Sequence, residues 1–184
     1  FSNYYFHSSD VTIELETNSI EVHAKRSEPW RVTLVNTGDN TNTGGRLRRV
    51  AEYIHEEDFC FTYGDGVADI DITKLIAFHR DQKEYFATIT AVAPPARFGL
   101  LLTNGEAVEG FSEKIDPSNT QINGGFFVLN KKVIDYIEND DTGWEREPLE
   151  KLAAEGRLQA YPHTGFWQPM DTVREKNILN ELWE

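Results

Sequence analysis

Nothing constrains this chain more than the run Phe59-Cys60-Phe61-Thr62-Tyr63-Gly64-Asp65-Gly66-Val67, where strand-forming residues stop at Gly-Asp-Gly. The pattern predicts a buried strand that delivers one carboxylate, Asp65, at its C-terminal end. The glycines on either side, Gly64 and Gly66, let the backbone turn sharply and let a ligand come close. In open α/β sheets, ligands sit outside the carboxyl ends of the strands. A carboxylate at that place suits a hard cation such as Mg²⁺ shared with phosphate oxygens. The same residues also suit an ordinary turn after a strand, in which Asp65 serves only its own backbone.

Composition narrows the partners. A chain of 184 residues, 39% hydrophobic and 27% charged, suits one globular α/β domain with a real core. Its net charge of −13 lacks the basic footprint that a polynucleotide binder needs, so no nucleic-acid partner is expected. Any phosphate-bearing ligand must find positive charge locally, from a metal, a few Arg or Lys, or a helix N-terminus. The single cysteine, Cys60, falls in the predicted buried strand, cannot form an internal disulfide, and reads as a small hydrophobe. No apolar run reaches the length of a membrane span and no signal peptide is visible, so the cytoplasm is the default expectation. The chain opens Phe1-Ser2-Asn3 without Met, which reads as the C-terminal part of a longer polypeptide.

Along the chain, Val11–Glu16 and Ile20–Lys25 alternate apolar and polar residues around Thr17-Asn18-Ser19, the pattern of a hairpin. Trp30–Val35 predicts a third strand. The following segment, Thr41-Asn42-Thr43-Gly44-Gly45-Arg46, opens a helix whose apolar face is Leu47, Val50, Ala51 and Ile54. Arg48 and Arg49 read as solvated charge. Arg46 sits at the loop-to-helix junction, where free backbone N–H groups are expected to be open to an anion. A helix through Ile72, Leu75, Ile76 and His79 and a strand over Phe86–Ala93 come next. Asn104-Gly105 marks a second hairpin, with arms Leu100–Thr103 and Ala107–Phe111.

Ile122-Asn123-Gly124-Gly125 runs into an apolar strand, and its glycines fit either a bulge or a ligand lying on the backbone. Asn130 caps a predicted helix through Val133, Ile134 and Ile137. Pro148 starts another, which Gly156 stops. After a short strand at Leu158–Tyr161, the chain closes with Gly165-Phe166-Trp167-Gln168-Pro169-Met170-Asp171-Thr172 and a last helix. Asp171, the second lone carboxylate, suits a helix N-cap as well as a metal. Strands alternating with helices argue a mostly parallel α/β sheet with hairpin insertions, in one domain spanning residues 1–184.

Read in order, Thr-Gly-Gly-Arg, Tyr-Gly-Asp-Gly-Val, Phe-Ser-Glu-Lys, Ile-Asn-Gly-Gly-Phe-Phe-Val-Leu and Phe-Trp-Gln-Pro-Met-Asp-Thr closely resemble the motifs of the sugar-1-phosphate nucleotidylyltransferases. The resemblance covers essentially the whole chain. Within the family, the Trp30 segment and the Gly165–Thr172 ending look most like the members that use CTP and glucose 1-phosphate. The resemblance implies a Rossmann-like fold, a mixed and mostly parallel sheet flanked by helices with β-hairpin insertions. It implies Mg²⁺ on Asp65 and Asp171. It places Glu113, Lys114, Asn123, Gly124, Gly125 and Trp167 at the sugar phosphate, and Thr41, Gly44, Gly45, Arg46 and Gly64 at the nucleotide. Asp65, Arg46 and Lys114 are the implied catalytic groups.

Two departures stand out. Ile115 follows the Glu-Lys pair where the family usually has Pro. The family's glycine-rich loop, Gly-Gly-x-Gly-Thr-Arg, which cradles base and phosphates, is not in this chain, so the span is expected to lack an N-terminal segment. Competing expectations are transfer of a different nucleotide, a metal-dependent glycosyltransferase, or a module that only binds sugar phosphate. The hairpin near residues 11–25 has no part in such chemistry and is expected to pack on a neighbouring subunit of a homo-oligomer.

Overall fold

The computed structural model describes residues 3–25, 28–94, 100–104, 107–112 and 121–184. Glu113, Lys114 and Ile115 lie outside them. The chain forms two compact units, residues 1–36 and 37–184.

The first unit holds a short helix, α1 (Tyr4–His7), and the antiparallel strands β1 (Ser9–Glu14) and β2 (Ser19–Lys25). Val11 pairs with Val22 and Ile13 with Ile20, so the apolar positions share one face, as their alternation predicts. Asn18 supplies the left-handed backbone of the turn, at φ +54°. The expected strand at Trp30–Val35 does not form: the segment has neither strand nor helix geometry. Its side chains favour strands, but a strand needs a neighbour to bond to, and among the described residues none pairs with it.

The second unit opens with α2 (Thr43–Val50) and continues through β3 (Asp58–Thr62), β4 (Gly66–Ala68), α3 (Ile72–Asp81) and β5 (Ala87–Val92). The hairpin β6 (Leu100–Asn104) and β7 (Ala107–Ser112) follows, as Asn104-Gly105 predicts. Then come β8 (Ile122–Asn130), α4 (Glu147–Ala154), β9 (Leu158–His163), β10 (Trp167–Pro169) and α5 (Val173–Trp183). The main sheet has the order β3-β8-β5-β9, with β8 antiparallel to both neighbours and β5 parallel to β9. Three strands therefore share one direction and β8 opposes them. The sheet is mixed and flanked by helices.

β8 and β5 lie in the middle and are buried on both faces. Phe127 and Leu129 enter the larger core with Leu47, Trp144, Leu149 and Leu152, while Val128, between them, joins Ile70 and Leu75 on the other side. β3, expected to be buried, is instead an edge strand of this sheet. Phe59 and Phe61 pack against the larger core, whereas Cys60 points the other way and is exposed. Its continuous apolar run hides an ordinary in-and-out alternation. The helix expected after Asn130 is a 3₁₀ helix, Lys131–Tyr136, with Asn130 as its N-cap.

Candidate active site

Beyond Thr62, Tyr63 extends β3 by one more bond, its N–H reaching the Gly125 carbonyl at 3.3 Å. The ring packs edge-on to Phe61 and Phe127. The chain then turns through Gly64-Asp65 into β4, which pairs antiparallel with β10: Ala68 faces Trp167, and Gly66 faces Pro169. One step further, the Met170 N–H donates to the Asp65 carbonyl at 2.7 Å. Asp65 thus directly precedes β4 and Asp171 lies just past β10, both at the same end of one short ladder. Both side chains are exposed. The N-cap of α5 is Thr172, in a reciprocal box with Glu175, so Asp171 is not needed as a cap.

Both carboxylates open onto a cavity of about 410 Å³, whose wall also holds Tyr63, Asn123, Gly124, Gly125 and Trp167. Two devices shape that wall. β8 bulges at residues 124–126, because Ile89 pairs with Phe127 while Ala91 pairs with Asn123. Such a bulge re-aims the side chain beside it, here Asn123. The Trp167 indole then donates Nε1–H to the Gly124 carbonyl at 2.8 Å, tying β10 to the bulge. Gly125 sits at φ +78°, and an added Cβ would lie 2.9 Å from the Tyr63 ring. Gly64 is different: a Cβ there would meet nothing within 4 Å, so its backbone borders open space.

The donor set at the mouth is oxygen alone, from two carboxylates. No group of three or more His, Cys, Asp or Glu gathers among the described residues. Two carboxylates fit Mg²⁺, which keeps several waters and shares substrate phosphates, better than they fit a cation needing an all-protein cage.

The start of α2 does not line this cavity. Its N–H groups are also not free, contrary to expectation. Thr43 N–H bonds the Asn42 side chain, and Gly44 and Gly45 donate to the Thr142 carbonyl at 3.0 and 3.3 Å. A Cβ on Gly44 would lie 2.7 Å from the Thr142 oxygen, and one on Gly45 would lie 2.5 Å from the Asp140 oxygen. These glycines let the helix end pack onto the 140–144 loop. Thr41 is buried beside them. Arg46 is exposed and donates to Thr37 Oγ1 at 2.6 Å and the Asp39 carbonyl at 3.2 Å. Nor are Arg48 and Arg49 merely solvated: Arg48 bonds the Glu138 carbonyl, and Arg49 makes a two-pronged pair with Asp140. Glu113 and Lys114 lie outside the described residues. Sequence reasoning assigned no role to Tyr63, although it stands inside the Tyr-Gly-Asp-Gly signature.

Among the described residues no helix is long and apolar enough to cross a membrane. Residues 7–170 match the nucleotidyl transferase family. The whole chain is 56% identical to the glucose-1-phosphate cytidylyltransferases of Salmonella typhimurium and Salmonella typhi, covering 72% of each. The fold is also similar to HddC from Yersinia pseudotuberculosis, solved with GMP-PN, at a TM-score of 0.60 and 23% identity, over 79% of this chain and 64% of that one.

Proposed function

The chain belongs to the nucleotidyl transferase family, and from that premise we propose that it transfers the cytidylyl group of CTP to glucose 1-phosphate, forming CDP-glucose and pyrophosphate. The observation that carries the reading is the pair Asp65 and Asp171, brought together by the Met170–Asp65 bond and lining one cavity of about 410 Å³. Identity of 56% across the chain with cytidylyltransferases supports the choice of base and sugar.

The chemistry asks for positioning and charge neutralisation rather than covalent help. A phosphate oxygen of the sugar phosphate attacks the α-phosphorus, and the bond from that phosphorus to the bridging oxygen of the β-phosphate breaks. Pyrophosphate leaves with the electron pair. The attacking oxygen is already anionic, so no general base is needed. Asp65 and Asp171 would hold Mg²⁺, which would supply charge neutralisation at the α-phosphate. Asn123 and the bulged Gly124-Gly125 backbone face the sugar, and Trp167 keeps that backbone in place. Glu113 accepts sugar hydroxyls and Lys114 anchors the sugar phosphate, as the order of motifs implies. Arg46 serves the nucleotide side with the N–H groups left over from Thr37 and Asp39. The apolar face of the β1–β2 hairpin, with Ile13 52% and Ile20 49% exposed, meets a neighbouring subunit of a homo-oligomer. A monomer in sedimentation at high protein concentration would contradict that last point.

The test is product identity. Incubation with Mg²⁺, glucose 1-phosphate and each nucleoside triphosphate in turn is expected to yield CDP-glucose, seen by mass spectrometry. Equal or faster turnover of UTP or dTTP overturns the choice of base.

A further inference from the structure

The β4–β10 ladder has three residue pairs and stands apart from the main four-stranded sheet. A two-stranded ladder that short does not hold its place unaided. It is fastened at its far end, away from Asp65 and Asp171. There the Asp69 N–H donates to the Phe166 carbonyl at 3.1 Å, adding a rung beyond the pair Ala68 and Trp167. The ring of His163, the last residue of β9, meets the same rung from the main sheet. Its Nε2 bonds the Phe166 carbonyl at 3.2 Å and lies 3.0 Å from Asp69 Oδ1. One side chain thus reaches both the residue before β10 and the residue after β4. His163 itself is held in the main sheet, paired in parallel with Val92.

Both oxygens beside that nitrogen are acceptors. A carbonyl and an ionised carboxylate offer no hydrogen, so Nε2 carries one. The Phe166 carbonyl then takes two N–H groups, one from Asp69 and one from the ring. The His163 side chain is only 11% exposed, whereas that of Asp69 is 61% exposed. The carboxylate therefore orients the imidazole more than it adds stability. Gly165 leaves room for the pair: a Cβ there would collide with Asp69 Oδ1 and lie 2.8 Å from His163 Cε1. The neighbouring Trp167 supplies a second tie, its indole bonded to Gly124 of β8. Two ties to different strands fix the tilt of a ladder, where one leaves it free to pivot. The end that would swing is the end that carries the two carboxylates.

We propose that His163 and Asp69 are positioning residues: they fasten the far end of the β4–β10 ladder to the main sheet and so fix the placement of Asp65 and Asp171 at its near end. The consequence for catalysis rests on the transferase reading, but the fastening itself does not. Partners of this kind, one step behind the groups that hold a metal, govern metal affinity more than substrate affinity.

Two variants test it, His163→Phe, which keeps a ring but removes the donor, and His163→Gln, which keeps an N–H. The first readout needs no turnover: backbone amide hydrogen exchange followed by NMR. In His163→Phe the Asp69 and Met170 amides are expected to exchange roughly tenfold faster, the scale of one hydrogen bond, while those of β5 stay within about twofold. His163→Gln should recover part of the protection. Unchanged exchange at Met170, or an equal increase in β5, overturns the proposal. The second readout is kinetic. His163→Phe should raise the Mg²⁺ concentration for half-maximal activity about tenfold, with KM for CTP and for glucose 1-phosphate at saturating Mg²⁺ within about twofold. Faster exchange with an unchanged Mg²⁺ titration overturns the positioning role. A parent protein inactive on CTP and glucose 1-phosphate defeats the transferase reading alone, since the exchange comparison still decides the fastening.

Discussion

The Met170 N–H donates to the Asp65 carbonyl at 2.7 Å, and that bond joins the two ends of the candidate site. Asp65 follows β3, Asp171 precedes α5, and only the short β4–β10 ladder brings them to one place. Met170→Pro removes the donor while leaving both carboxylates in the chain. The expected result is a weaker response to metal, with the Mg²⁺ concentration for half-maximal activity raised about tenfold or more. An unchanged Mg²⁺ titration would show that the ladder does not organise the metal.

Gly64 and Gly125 should respond oppositely to alanine. At Gly64 an added methyl meets nothing of the protein, so Tm should hold, and if Gly64 lies against the nucleotide as proposed, CTP binding should weaken. At Gly125 the left-handed backbone and the Tyr63 ring both resist a Cβ, and stability should fall by about 1–3 kcal/mol. Denaturant melts and CTP titrations of the two variants separate these roles.

Trp167→Phe keeps an aromatic ring in the wall but deletes the indole donor to the buried Gly124 carbonyl. A loss of about 1–3 kcal/mol in stability is expected. A rise in KM for glucose 1-phosphate should accompany it as the bulge loosens. A change in KM for CTP alone would place Trp167 on the nucleotide side instead.

His79 is buried, with Nδ1 2.7 Å from Thr88 Oγ1 and Nε2 3.6 Å from Asp58. Burial, acting against the nearby Asp58, holds its pKa below the usual histidine value. The unfolded chain therefore takes up the proton first as pH falls. Stability from this site is complete above about pH 6.5 and declines as pH drops toward the folded-state pKa. Urea melts between pH 5 and 7.5 should show this slope in the parent and a flatter one in His79→Gln. Equal slopes would mean that His79 does not titrate differently on folding.

Much of the site was legible because its parts are local. Gly-Asp-Gly after an apolar run marks Asp65, Asn123-Gly124-Gly125 before another run marks the bulge, and the Gly165–Thr172 segment marks Asp171. What was not legible depends on partners far along the chain. Gly44-Gly45 before a helix looks the same whether it cradles an anion or packs on a loop. The Thr142 carbonyl, almost a hundred residues on, decides for packing. β4 and β10 are three residues each and carry no periodicity, so their ladder could not be read from either strand alone. Phe59-Cys60-Phe61 reads as buried throughout because a cysteine passes for a core residue. Its place at a sheet edge is set by strand order, which local pattern does not encode.

The most direct measurement is pyrophosphate release from CTP and glucose 1-phosphate with Mg²⁺, run side by side on the parent protein and on Asp65→Asn. Asp65 is exposed, so the substitution should leave the fold and the thermal melt intact. The account predicts release that requires both substrates in the parent and falls by about a hundredfold or more in the variant. A variant within tenfold of the parent would contradict the placement of the metal, and with it the central claim.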